Sequence, residues 1–324
     1  MTHTMLRNTA SLLRRMGFEP VLGAVNLQML LLKMRPSHAY LAQIKHEQET
    51  TFKKLKGNFL ASYNDLRKHN VDAFTTPFWK GSLALLERVF LPWPAFSFLR
   101  NSIVRKTLFV VDFGKYTIDQ LAFLEEKIPN RELKTLLQED YVGNPILVDS
   151  EHLASFMSIQ HLYHLVRFLD RVQCNLHSME TIVEWGGGYG NMAKIFQRLK
   201  YTAPTYIIID IPLMSCVQWL YLSTILGEES VNLLRKPEDT IHTGELNLMP
   251  ISFLDRHRID ADLFISTWAL SESSRYSQDY VISHNWFDSK HILLAYQDSN
   301  SYFPGADRVG MIAAGEGAVI EDMK

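Results

Sequence analysis

The stretch that decides the fold is TIVEWGGGYGNMA, residues 181–193. A short apolar run carries Glu184 and Trp185 at its end and opens into Gly186, Gly187, Gly188 and Gly190, before an apolar-periodic segment that begins near Asn191. In order, these are a strand, a glycine turn and a helix start. Glycines at 186, 188 and 190 suit a tight turn because a residue without a Cβ takes φ > 0 at little cost and lets a ligand approach the main chain. The helix start adds free N–H groups aimed into the same space.

Two further segments sharpen this reading. The run Tyr206 to Ile209 ends at Asp210, next to Ile211 and about 20 residues beyond the glycines, where nucleoside-binding sheets place an acid to accept from ribose hydroxyls. DLFISTWALSE, residues 262–272, reads as a buried parallel strand that brings Ser266, Thr267 and Trp268 to the sheet's carboxyl edge, facing the reactive end of a cofactor. Two cofactor classes remain open. The segment from Gly188 to Ala193 fits the G-x-G-x-x-A form of the dinucleotide fingerprint. The Glu184 carboxylate, by contrast, would repel a pyrophosphate but can organise donors around the ammonium of an amino-acid moiety, which favours a sulfonium amino-acid cofactor. Tyr189 and Met192 are candidates to line it.

Taken together, Glu184-x-Gly186-x-Gly188-x-Gly190, Asp210 and DLFISTWALSE resemble class I S-adenosylmethionine-dependent methyltransferases. Within that class, EWGGGYGNMA, IDIPLMSCVQWLYLSTILG and the D-L-F-I-S-T-x-x-L-x-E stretch are similar to sugar O-methyltransferases of bacterial polysaccharide and natural-product clusters, over roughly residues 140 to 300. The resemblance implies S-adenosyl-L-methionine as cofactor and methyl transfer to a hydroxyl of a sugar or glycoconjugate. The residues alone reach only a nucleoside-binding α/β domain. They leave open an NAD(P)-dependent oxidoreductase or epimerase, and an inactive protein that binds the cofactor and interacts with others.

Composition sets the outer limits. The chain has 324 residues and a formal net charge of −2, so no global field recruits nucleic acid, although Arg7, Arg14 and Arg15 make the start locally basic. Its 2 cysteines, Cys174 and Cys216, lack C-x-x-C spacing, which argues against a zinc ribbon or disulfide framework and for a cytoplasmic setting. The apolar run from Pro20 to Met34 is broken by Asn26, Gln28 and Lys33, so it reads neither as a signal peptide nor as a membrane span.

Alternating patterns predict an α/β fold: a Rossmann-like, doubly wound, mainly parallel sheet over residues 146–324, preceded by a helical region over 1–145. Strands are expected at 181–185, 206–210, near 230–234, 262–267 and 291–296, with helices between them. The chain beyond Tyr296 is too short for the usual terminal hairpin of the class, which is expected to be missing or shortened. In the helical region, Leu27, Leu30, Leu31 and Met34, and again Leu85, Leu86, Val89 and Phe90, recur at helical spacing. The charged stretch Lys45 to Lys56 reads as a solvated helix face. The aromatic-rich FLPWPAFSFLRNSIV reads as a buried inter-helix contact, with a membrane-surface anchor as the alternative.

O-methylation needs a group to take the hydroxyl proton. His161 and His164 lie one helical turn apart on an expected helix from Ser150 to Arg171 that covers the pocket, and His161 is the base candidate. Both also read as core histidines, and their spacing alone does not make a metal site. Glu272, closing the loop after the fourth expected strand, is the second catalytic candidate, with helix capping as the bland alternative. Asp298, Asn300 and Asp307 have the oxygen-rich character of a Mg²⁺ site, but turn formation explains them equally well and metal is not favoured. Trp185 and Trp268 flank the expected pocket and are candidates to stack on adenine or a sugar ring, with wall packing as the bland alternative.

Overall fold

The computed structural model describes residues 42–110, 116–199 and 203–321. The apolar repeat at 27–34 and the basic residues near the start lie outside them. Helices come first: α1 (Ala42–Leu66), α2 (Pro77–Phe90), α3 (Ser102–Thr107), α4 (Thr117–Lys127) and α5 (Asn130–Leu137). α1 buries Phe52, Leu55, Phe59, Tyr63 and Leu66, spaced three and four apart, and turns Lys53 and Lys54 to solvent. Thr76 starts α2 by accepting a hydrogen bond from the Trp79 amide, with Pro77 in the first turn where it loses no bond.

The core is an α/β arrangement. A six-stranded sheet, parallel throughout and flanked by helices, contains β3 (Thr181–Trp185), β4 (Thr205–Asp210), β5 (Val231–Leu233), β6 (Leu246–Pro250), β7 (Leu263–Thr267) and β8 (His291–Ala295), in the order β5-β6-β4-β3-β7-β8. This topology is compatible with a Rossmann-like fold. The central strands are buried on both faces, which is why TYIIID and LFIST read as continuous apolar runs rather than alternating ones. The chain leaves β3 toward β4 on one side and returns to β7 on the other. That reversal opens a crevice at the carboxyl ends of the strands.

Helices α6 (Phe156–Val172), α7 (Asn191–Arg198) and α8 (Pro212–Leu226) pack close to this crevice. PLMSCVQWLYLSTIL has no polar face because α8 is covered twice, by α1 on one side and by β4, β5 and β6 on the other. After β7 come α9 (Ala269–Glu272) and α10 (Arg275–Ser283), and after β8 comes α11 (Arg308–Gly315). Among the described residues no strand follows β8, and no helix is long and apolar enough to cross a membrane.

Two sequence expectations need correction. Residues 246–250 form β6, whereas the pattern reads as a connecting segment; the strand carries Asn247 among its apolar residues and ends on Pro250, which pairs with Asp210 only at the rim. The helix expected from Ser150 begins at Phe156, because β1 (Leu147–Asp149) and β2 (Ala154–Ser155) form a small hairpin and the Ser155 hydroxyl caps α6 by accepting from the Ser158 amide. In the aromatic-rich segment, Phe90, Phe98, Leu99 and Val104 are buried, while Trp93 is exposed.

Phe59 is fully buried in α1. Phe59→Ala is expected to cost about 3–5 kcal/mol through lost transfer energy and a residual cavity. Urea denaturation measures this directly, and a cost below about 1 kcal/mol would show that α1 is not integral to the core.

Candidate functional site

A cavity of about 420 Å³ opens at the carboxyl ends of β3, β4 and β7, within the roughly 300–1,000 Å³ typical of ligand sites. The glycine turn forms its floor. At Gly186, with φ +75°, an added Cβ would lie 2.1 Å from the Ala269 Cβ, so the turn and the start of α9 approach each other only because that side chain is absent. Gly188, with φ +57°, differs in kind: a Cβ there would meet nothing within 4 Å, because it would project into open space. Backbone that is bare on the cavity side is what a ligand lying against the main chain requires.

Asp210 closes β4 beside this floor. Its Oδ1 accepts from the Ile211 amide at 2.8 Å, and its Oδ2 accepts from Gln218 Nε2 at 2.7 Å. Gln218 also donates to the Gly188 carbonyl at 3.0 Å, so α8 stitches the acid to the glycine turn. Burial pushes the Asp210 carboxyl up to about 7, against the pull of hydrogen bonds from Ile211, Gln218 and Gly187. The sequence sign of this role is the polar Gln218 within a largely apolar helix.

The opposite wall comes from β7 and the segments that follow it. Trp268 has φ 74°, unusual for a bulky residue and costing about 1–3 kcal/mol, and its amide donates to the Ala295 carbonyl at 2.7 Å. The turn lays the indole along the cavity and 6.2 Å from the His164 ring. Glu272 lines the cavity and accepts from Gln297 Nε2 at 3.1 Å. Burial raises its carboxyl to about 7, while hydrogen bonds from Gln297 and Trp79 oppose the rise. Trp79 belongs to α2 and lines the cavity with Phe74 and Phe109, so the helical segments build its outer wall. No local pattern in the sequence connects Trp79 or Gln297 to Glu272.

Of the residues read from the sequence, the structure brings Gly186, Gly187, Gly188, Tyr189, Asp210, Ile211, Thr267, Trp268, His161 and Glu272 to this one cavity. Glu184, Gly190 and Ser266 stand behind it. Side chains alternate along a strand, so with Trp185 on the cavity side Glu184 points the other way, accepting from the Tyr206 hydroxyl at 2.9 Å while its Oε1 has no partner. Glu184 therefore organises no donors in the cavity itself. Burial lifts its carboxyl to about 8, the Tyr206 hydrogen bond opposing and Asp210 adding to the rise. Gly190 lies against Leu222, and the Ser266 hydroxyl bridges the Trp185 carbonyl and the Leu270 amide.

The two histidines differ. Burial alone pushes His164 down to about 4, and its Nε2 is buried without a partner. His161 lines the cavity, and its Nδ1 lies 3.1 Å from the Asn191 amide nitrogen. Burial, with help from His164 and Lys194, pushes it down to about 3, so its ring is neutral. Asn300 spends its side chain on a turn, accepting from the Tyr302 and Phe303 amides. Among the described residues no group of three or more His, Cys, Asp or Glu is placed to hold a metal ion.

Compared with family models, with curated proteins and with solved structures, the chain matches none.

The raised carboxyl of Glu184 has a consequence for stability. Its folded form keeps a proton that the unfolded chain releases above the ordinary value of 4.5, so this group makes the protein less stable as pH climbs from there to about 8. Urea denaturation across that window should show the decline, and Glu184→Gln should lessen it. A variant with the same slope as the parent would mean that Glu184 is ionised in the native protein.

Proposed function

We propose that this chain is an S-adenosyl-L-methionine-dependent O-methyltransferase acting on a hydroxyl of a sugar or glycoconjugate. The observation that carries the reading is the juxtaposition, at the point where the strand order reverses, of a main-chain floor open above Gly188 and the Asp210 carboxyl beside it. The carboxyl groups of Asp210 and Glu272 both line the cavity, which suits a cationic sulfonium ligand better than a pyrophosphate. The sequence resemblance supplies the methyl-transfer chemistry and the saccharide acceptor.

In this reading Gly186, Gly187 and Gly188 receive the nucleoside against bare backbone, Asp210 accepts from the ribose hydroxyls, and Thr267 and Trp268 border the reactive end. When bound, the cofactor supplies a methyl group on a positively charged sulfur. Holding the acceptor oxygen in line with that methyl offsets about 7–11 kcal/mol of barrier, and the aromatic walls from Trp79, Phe109 and Trp268 provide the surface that does so. Glu272 takes the hydroxyl proton. A carboxyl near 7 is matched to that task at neutral pH, whereas an imidazole near 3 is too weak a base, so His161 orients the hydroxyl instead.

Isothermal titration with S-adenosylhomocysteine tests the assignment. Binding is expected, with no heat from NAD; the reverse result would replace this reading with a dinucleotide enzyme. Gly188→Val should abolish binding by filling the floor, and Asp210→Ala should weaken it on the order of ten- to a hundredfold. Affinity should rise with pH and level off above about 7, because Asp210 must shed its proton to accept both ribose hydroxyls, and Asp210→Asn should flatten the curve. With a saccharide panel as acceptor, Glu272→Gln should lower kcat about 10²–10⁴-fold and leave S-adenosylhomocysteine affinity unchanged.

A further inference from the structure

Behind His161 lies a chain of polar groups shut away from solvent. Lys194 and Glu139 are 0% and 1% exposed at the side chain and meet at 2.7 Å. Burial favours the neutral acid, but the Lys194 charge and hydrogen bond, with those of Ser155 and Ser158, outweigh it and hold Glu139 below its ordinary value. Glu139 is therefore a carboxylate, able only to accept. Its Oε1 receives Ser155 Oγ at 2.5 Å and also receives Ser158 Oγ.

That second contact decides the rest. A hydroxyl has one proton, and a close contact between a carboxylate oxygen and a hydroxyl oxygen is repulsive unless the proton lies between them. The Ser158 proton is thus committed to Glu139. Ser158 Oγ accepts from Lys194 Nζ at 3.3 Å, and Asn191 Oδ1 lies 3.1 Å from it. With no proton left to give, Ser158 is satisfied only if Asn191 offers it the NH₂ group. Amide oxygen and nitrogen are told apart only by their hydrogen bonds, so turning the Asn191 amide over puts its carbonyl where the nitrogen lies, 3.1 Å from His161 Nδ1, and that carbonyl accepts from the ring. The ring is neutral, so Nε2 is left bare on the cavity side.

We propose that the buried Lys194–Glu139–Ser158–Asn191 chain holds the proton of His161 on Nδ1, so that the ring presents Nε2 to the cavity as an acceptor and selects a hydrogen-bond donor of the ligand. Asn191, Ser158, Glu139 and Lys194 are positioning residues. Their effect resembles that of a carboxylate orienting a catalytic histidine, except that here a neutral amide stands between the carboxylate and the ring. Naming the donor as the hydroxyl to be methylated, or as the ammonium of the cofactor, rests on the methyl-transfer reading; the tautomer does not.

Nitrogen NMR of the full chain labelled with ¹⁵N-histidine, with the His161 resonances assigned by their loss in His161→Gln, reads the tautomer with no ligand present. The expected result is a protonated Nδ1 and a bare Nε2; a proton on Nε2 in the parent protein overturns the proposal. Ser158→Ala frees the amide to turn and should give a mixture of tautomers. The resonances of the other histidines report whether each variant is folded, and a folded Ser158→Ala with the parent tautomer would also overturn the chain's role. S-adenosylhomocysteine is then added. A shift at Nε2 assigns the ammonium as the donor, and binding without a shift leaves the acceptor hydroxyl. No binding at all defeats the methyl-transfer reading while the tautomer result stands.

Discussion

A lysine and a glutamate with almost no exposure, Lys194 on α7 and Glu139 just beyond α5, meet deep inside this protein, and much of the site's order depends on that pair. Neither charge is tolerable there alone, since removing one partner of a buried ion pair costs about 3–5 kcal/mol by leaving the other uncompensated. The pair therefore locks the segment after α5 to the helix that follows the glycine turn. From Glu139 the bonding runs to Ser155, which caps α6, and to Ser158 one turn on, so the helix carrying His161 is fixed to the same point. Three segments far apart in sequence are held in register by one carboxylate.

The cavity beside this pair has an opposite electrostatic character. Asp210 and Glu272 line it, and Glu184 sits behind its floor, each kept partly or wholly protonated near neutral pH by burial. Such groups hold a latent negative charge. A cationic ligand or one rich in hydroxyls releases it, because accepting hydrogen bonds and facing a positive charge both favour the ionised form. The helical segments add Trp79 and Phe109 on the outside, making the wall away from the glycine turn largely aromatic. The cavity thus has one half that carries carboxyl groups and one half that is largely aromatic.

Some of this was legible in advance because it is local. The strand, turn and helix of residues 181–193 declare themselves by an apolar run, glycines and renewed periodicity within a dozen or so positions, and Asp210 follows from the end of the next apolar run. Other parts were hidden. The strand Leu246–Pro250 breaks its apolar pattern at Asn247 and ends on a proline, and the end of an apolar run shows no sidedness until strand alternation, with Trp185 on the cavity side, sends Glu184 to Tyr206. Lys194 and Glu139 look like ordinary surface charges in a one-dimensional pattern, since nothing near either residue announces a partner 55 positions away.

The amino-acid sequence by itself determined the alternation of strands and helices, the parallel sheet that alternation produces, and the placing of a glycine turn and an acid at adjoining strand ends. These follow from side-chain periodicity and backbone freedom, which act between near neighbours. Only the tertiary structure decided which carboxylates face the cavity, which histidine borders it, and how Gln218, Trp79 and Gln297 complete its walls. Burial and hydrogen-bond pairing depend on distances between residues remote along the chain, and those distances exist only once the sheet has closed against its helices.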